Sequence, residues 1–313
     1  CGQDREIRVW DVGSGRCEHV MTGHEDDVRG VSASGDGRVA ATCSFDRSVR
    51  VWDLEQGREI KAMTGHSDKV FGVSIAGGGG TVVSCSWDMS VRVWDVESGE
   101  SVGKPLQPAS GIYASDESSR QPGSTGSVSL GALKLQGHEK EVLAVAVTWD
   151  GGRAISGSVD GTVRIWEVAT GSQVAKCTGH SDWVLGVSVT GNGSLAASCS
   201  RDGTVRLWTL SGKEVRKIQH TGEVSCVALL PDGARVVSGQ GKQVLVWDCN
   251  SGKQVKALSK HTGAVRCVCA SPGGERIASG SQDLTVIVWE TGKLTAERVL
   301  EGHKGVIRGV SIG

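Results

Sequence analysis

Aromatic side chains other than tryptophan are almost missing from these 313 residues: one Tyr and two Phe stand beside ten Trp, and there are only three Met and five Pro. A core of stacked Phe and Tyr is therefore excluded, and the bulk of the interior must come from Trp and small aliphatic residues. No run of about 18 apolar residues occurs, which excludes an apolar helix that crosses a membrane. An excess of one charge is missing too. Lys plus Arg (34) and Asp plus Glu (35) cancel to a net charge of -1, so nucleic acid and membrane surfaces lack the field that would make them main partners. What is plentiful is glycine: its 46 residues are about 15% of the chain, roughly twice the usual share.

The ten cysteines would allow five disulfides, but they follow strand periodicity instead of marking loops. A reducing compartment is expected, the cytoplasm or nucleus. The chain opens on Cys1 and runs directly into a strand-like stretch, which reads as part of a longer protein whose other domains are expected partners.

Seven of the ten Trp are one repeated position. Trp10, Trp52, Trp94, Trp166, Trp208, Trp247 and Trp289 each end an alternating run such as IRVW or VRVW, spaced by 42 residues or close to it. The exception is the longer interval from Trp94 to Trp166. His24, His66, His138, His180, His220, His261 and His303 keep step. Each period holds four short segments of period-2 alternation separated by turns such as Ser34-Gly35-Asp36-Gly37. Four short strands make a sheet that is marginal alone but buries both faces when stacked radially, which predicts a β-propeller. Gly-His, a strand triplet and Trp-Asp some 28 residues after the His resemble the WD-repeat propeller family. Gly-His is intact at 23/24, 65/66, 137/138, 179/180 and 302/303, with Gln219 and Lys260 as departures; Trp-Asp is intact at 10/11, 52/53, 94/95 and 247/248.

A Ser or Thr, a His and an Asp per period invite comparison with a hydrolase triad. An enzyme needs one such set in one cleft, whereas here five complete sets recur, each with a Trp. The resemblance implies a structural role, a hydrogen-bonded tetrad tying turn to sheet. The sets are His24-Thr42-Asp46-Trp52, His66-Ser84-Asp88-Trp94, His138-Ser156-Asp160-Trp166, His180-Ser198-Asp202-Trp208 and His261-Ser279-Asp283-Trp289. The set of His220, Ser238 and Trp247 lacks its carboxylate, with Gly241 read in place of the Asp, and its blade is expected to be the least stable of the complete ones. Cys1, Cys43, Cys85 and Cys199 share one repeat position with Gly157, Gly239 and Gly280, which predicts small buried packing residues, as do Cys267 and Cys269. No catalytic residue, metal or cofactor is expected.

Function is then expected where the repeats differ. In the family the top face displays the turn before the first strand, the start of that strand and the residue before the tetrad Asp. On these positions Phe45, Phe71, Trp87, Leu143, Trp183 and Leu185 form an apolar arc over four consecutive repeats, while Arg29, Arg266 and Arg308 fall on three consecutive repeats opposite; Arg201 joins them from the position before Asp202. Exposed aromatics and Arg dominate binding hot spots, so the arcs predict docking of a peptide or loop, acidic or phosphorylated segments among the candidates. The function expected is a non-catalytic protein-interaction scaffold or ligand-sensing module; the alternatives are a propeller enzyme and an RNA-associated scaffold subunit.

Residues 101–134, rich in Ser, Gly and Pro, read as a flexible insertion between the third and fourth strands of the blade containing Trp94. Trp149 is expected on the bottom face, where it and Tyr113 would seat part of that loop. Aligning Cys1 with Cys43 leaves one strand unaccounted for between Gly313 and Cys1. The whole chain, 1–313, is thus expected to be a single seven-bladed ring of four-stranded antiparallel blades, its closing blade incomplete for want of the second strand.

Overall fold

The structure, a computed structural model, describes residues 1–100 and 134–313. The expected insertion, apart from Lys134, and Tyr113 within it therefore lie outside the described residues. Six four-stranded antiparallel sheets follow one another along the chain. The first runs Val28–Ala33, Val39–Ser44, Ser48–Asp53 and Arg58–Thr64; the second Val70–Ile75, Thr81–Ser86, Val91–Asp95 and Lys134–Leu135; the third Val142–Val147, Arg153–Ser158, Val163–Glu167 and Gln173–Cys177. The fourth runs Val184–Val189, Ala196–Ser200, Thr204–Trp208 and Glu214–Gln219; the fifth Cys226–Leu229, Arg235–Gln240, Gln243–Asp248 and Gln254–Leu258; the sixth Val265–Ala270, Arg276–Ser281, Val286–Glu290 and Thr295–Leu300. Inner strands of successive sheets pack on one another, so the sheets are blades of a propeller.

The blade count is corrected from seven to six. Among the described residues the remaining sheet has only two strands, Ile7–Trp10 and Cys17–Met21. Beside it residues 306–312 run extended between the sixth blade and the first: a Cβ at Gly280 would meet Ile307 and Val310, and one at Gly309 would meet the backbone of Gly30 and Val31. Gly2 bridges Ile307, and Cys1 exchanges hydrogen bonds with Arg308 and Gly309. A seventh four-stranded blade would need a second strand alongside 310–312 and Ile7–Trp10, and no described residue takes that place.

The strands form because their buried residues alternate or run continuously apolar, as in Val49, Val51 and Trp52 of the first blade. Between blades the interior is small and aliphatic, for example Val83, Val91, Val145 and Ala154 across the second and third. Hydroxyls also bridge the joints. Ser32, Ser74 and Ser188 on inner strands accept the backbone N–H of Ile75, Val147 and Leu229 on the next inner strand at 3.2, 3.2 and 3.0 Å. Ser311 accepts that of Ala33 at 3.0 Å, so the same bond joins the end of the ring to its beginning.

Candidate functional site

The repeated polar residues come together inside the blades. Thr42, Ser84, Ser156, Ser198 and Ser279 each accept the indole N–H of their Trp at 2.7–2.8 Å and meet the Nε2 of their His at 2.7–2.8 Å. The Nδ1 of each His lies 2.8–2.9 Å from Asp46, Asp88, Asp160, Asp202 or Asp283. A carboxylate only accepts, so Nδ1 is the donor and the neutral ring accepts from the hydroxyl at Nε2, which leaves the hydroxyl oxygen free for the indole. The same carboxylates receive the backbone N–H after each His, at 3.1 Å for Glu25, Ser67, Glu139 and Ser181 and 2.8 Å for Thr262. Every donor is spent within the blade, and the hydroxyl is buried under Trp. These groups hold turns to sheets.

The fifth blade departs as expected in lacking the carboxylate, but Gly241 does not stand in its place. Its φ of 54° matches the left-handed residue after the Asp in other blades, as in Arg47 (70°) and Met89 (62°). The Asp itself is deleted, and Gln240 and Gln243 face each other across a two-residue turn. Gln240 takes over half the Asp's work: with its amide oriented to satisfy its surroundings, its oxygen accepts from Gly222 N at 2.6 Å and Thr221 N at 3.2 Å. The other half is unfilled, since His220 Nδ1 is buried without a partner. His220 Nε2 and Trp247 Nε1 still reach Ser238, at 2.8 and 3.1 Å.

On the top face most of the candidate residues meet in one cleft of about 420 Å³, lined by Arg29, Arg266 and Arg308 and by Phe71, Trp87, Leu143, Trp183 and Leu185. Phe71 stacks on Trp87 at 5.0 Å, and Phe45 packs behind both, 5.0 Å from Phe71. Trp87 and Trp183 keep 38% and 41% of their surface exposed. The two arcs are less separate than the sequence suggests. Arg29 lies 5.0 and 4.8 Å above the rings of Phe45 and Phe71, and Lys69 lies 4.6 Å from Phe45, so cations roof the aromatic cluster. Arg201 is outside the lining; its guanidinium lies 4.7 Å over Trp183 and 3.7 Å from Glu223. Burial and the charge of Arg308 push the Arg29 guanidinium down to about 10, and burial with Arg266 lowers Arg308. Three cations crowd here, with the Asp27 carboxylate acting on both Arg29 and Arg308 and with Glu141 and Glu223 bordering the same cleft.

Sequence reasoning missed one feature at the other mouth. Trp149 is half exposed, and its indole lies over Gly35 and Gly77, where a Cβ would stand 1.8 and 2.2 Å from ring atoms. Backbone bonds bind the same residues: Gly35 N to Gly77 O at 3.0 Å, Gly77 N to Trp149 O at 2.9 Å, Trp149 N to Gly191 O at 3.1 Å. The glycines at this repeat position were the available signal.

Antiparallel four-stranded blades packed around inner strands, with a cleft of mixed aromatic and cationic lining on one face, define a β-propeller. The sequence pattern described as WD40, "WD domain, G-beta repeat", matches residues 15–53, 57–95, 132–167, 171–209, 212–248 and 252–290, well over half of the chain. The chain belongs to the WD40 repeat family. No curated protein matches it. No described helix is long and apolar enough to cross a membrane.

Proposed function

We propose that this propeller is a non-catalytic interaction module that docks an extended peptide or loop in its top-face cleft. WD40 propellers generally bind other proteins, and members of the family are generally non-catalytic. The observation that carries the reading is the cleft itself, where three guanidiniums adjoin the Phe71–Trp87 stack and Trp183. An aromatic or aliphatic anchor fits between the tryptophans, and an acidic or phosphorylated group fits against Arg29, Arg266 and Arg308. Their mutual repulsion is relieved by an anion, so the occupant carries its charge at that end. The cysteines are all free, which supports residence in a reducing compartment of the cell.

The test uses immobilised libraries of acidic and phosphorylated peptides, followed by titration of the best binder. Trp87→Ala with Trp183→Ala is expected to lower its affinity at least tenfold without lowering the melting temperature appreciably, because both side chains are exposed. Undiminished binding by the double variant removes the site assignment. Arg266→Glu should abolish the preference for phosphorylated over unphosphorylated peptide.

A further inference from the structure

Charge is not spread evenly around the top-face cleft. Inner strands succeed one another around the ring, so the blade that carries a side chain sets its place on the mouth. Arg266, Arg308 and Arg29 come from the sixth blade, the extended residues 306–312 and the first blade, which are neighbours. Asp27 offsets part of their charge. The third, fourth and fifth blades occupy the other side of the mouth, and among the described residues they contribute no cation to the lining. They contribute Glu141, Trp183 and Glu223, together with Leu143 and Leu185.

The cationic end is held in place. Arg29 rests on the rings of Phe45 and Phe71 at 5.0 and 4.8 Å. Gln282, with its amide oriented to satisfy its surroundings, accepts from Arg266 Nη2 at 2.6 Å and from Nε at 3.3 Å, which orients that guanidinium. At the anionic end the chain itself shows how a cation is received: the Arg201 guanidinium lies 4.7 Å over the ring of Trp183 and 3.7 Å from Glu223. Glu141, on the blade next to that of Trp183, is partly buried and has no ion pair among the described residues. A carboxylate at the edge of an apolar cleft loses solvation when the cleft fills, and a cation on the occupant offsets that loss.

We propose that the occupant of the cleft is dipolar: an extended peptide with an acidic or phosphorylated residue against the three guanidiniums, an apolar residue against the tryptophans, and a Lys or Arg whose cation pairs with Glu141. This rests on the docking of a peptide in the cleft and adds the second charge. The cleft then selects a separation of charges and not a net charge. A purely acidic peptide brings its own sign to Glu141, and a purely basic one meets three guanidiniums. Glu141 is thus a specificity-determining residue, which tells peptides apart by what they carry beyond the anion and the apolar anchor.

The probes are acetylated, amidated peptides that carry phosphoserine, then leucine, then lysine, in both chain directions. The lysine position is varied one residue at a time, which changes the charge separation in steps of about 3.3–3.6 Å in an extended chain. Each peptide is matched by one with Gln and one with Glu in place of Lys. Calorimetric titration is expected to find a spacing at which the lysine peptide binds about fivefold more tightly than its Gln counterpart, the effect of one well-placed ion pair. The Glu peptide should bind more weakly than both. Glu141→Gln should erase the difference between Lys and Gln peptides, and Glu141→Lys should reverse the order so that the Glu peptide binds best. Equal affinity for Lys and Gln peptides at every spacing, with phosphoserine still required, overturns the proposal and leaves peptide docking standing. A lysine preference that survives Glu141→Gln overturns the role of Glu141. Failure of every peptide to bind overturns the docking and the proposal together.

Discussion

At the residue scale, the Gly of Gly-His and the Arg two positions before the repeat Trp are one packing device. A Cβ at Gly23 would stand 3.1 Å from both Arg50 Nη1 and Trp52 Cη2; at Gly137 it would stand 2.7 Å from Arg164 Nη1 and 3.1 Å from Trp166 Cη2. The two repeats that replace this Gly, by Gln219 and Lys260, are also those in which Leu245 and Ile287 replace the Arg. Gly137→Ala should therefore cost about 1–3 kcal/mol by overpacking. Adding Arg164→Leu should return part of that cost, read as a coupling energy in a double-mutant cycle of chemical denaturation. The tetrads make a second prediction. Burial opposes ionisation of Asp4 and Asp202, but bonds from His303 to the first and from Thr204 and His180 to the second prevail and hold both at about 2, below the ordinary 3.8. Burial lowers His66, His138, His180, His220 and His303 below their ordinary 6.5. Both shifts act in the same direction. The depressed imidazoles lose stability as pH falls below about 6.5, and the depressed carboxylates lose theirs as it falls from about 4 toward 2. Melting temperature should decline steadily from neutral to acid pH, without a maximum below pH 6.

At the element scale, inner and second strands share one small space between them. Gly30, Gly72 and Gly186 on inner strands face Cys43, Cys85 and Cys199, whereas in the fifth and sixth blades Cys226 and Cys267 face Gly239 and Gly280 from the opposite strand. A Cβ at Gly72 would stand 2.9 Å from Cys85 Sγ, so only one member of each pair has room for a thiol. Gly72→Cys alone should cost about 1–3 kcal/mol, and adding Cys85→Gly should recover most of it by reproducing the sixth-blade arrangement; thermal or urea denaturation of both variants decides. Burial pushes the thiols up, Cys226 to about 12, which leaves them protonated packing groups.

At the scale of the whole molecule, the ring closes among the described residues through the two-stranded sheet and the bridge from Gly2 to Ile307. Each complete blade closes its polar tetrad or most of it, while among the described residues Ile7–Trp10 pairs on one side only. Hydrogen exchange should be fastest, among the strands, in Ile7–Trp10, intermediate in Gln243–Asp248 of the blade with the unpartnered His220, and slowest in Val163–Glu167. Equal protection of all three would remove the argument that the tetrad hydroxyl and carboxylate rigidify a blade. Trp149 draws blades together at the opposite mouth, where its ring takes the space that Gly35 and Gly77 leave.

The 42-residue spacing of Trp and His was enough to read the strands, the blades and the tetrads, because those depend on contacts repeated locally within each period. It was also enough to find the gap at Trp247, though not that Gln240 partly fills it, since that depends on a turn shortened by one residue. The number of complete blades, the placement of Arg29 over Phe45 and Phe71, and the reach of Trp149 across two glycines belong to the tertiary structure. Each brings together residues from different periods, and no pattern within one period records how far around the ring a side chain extends.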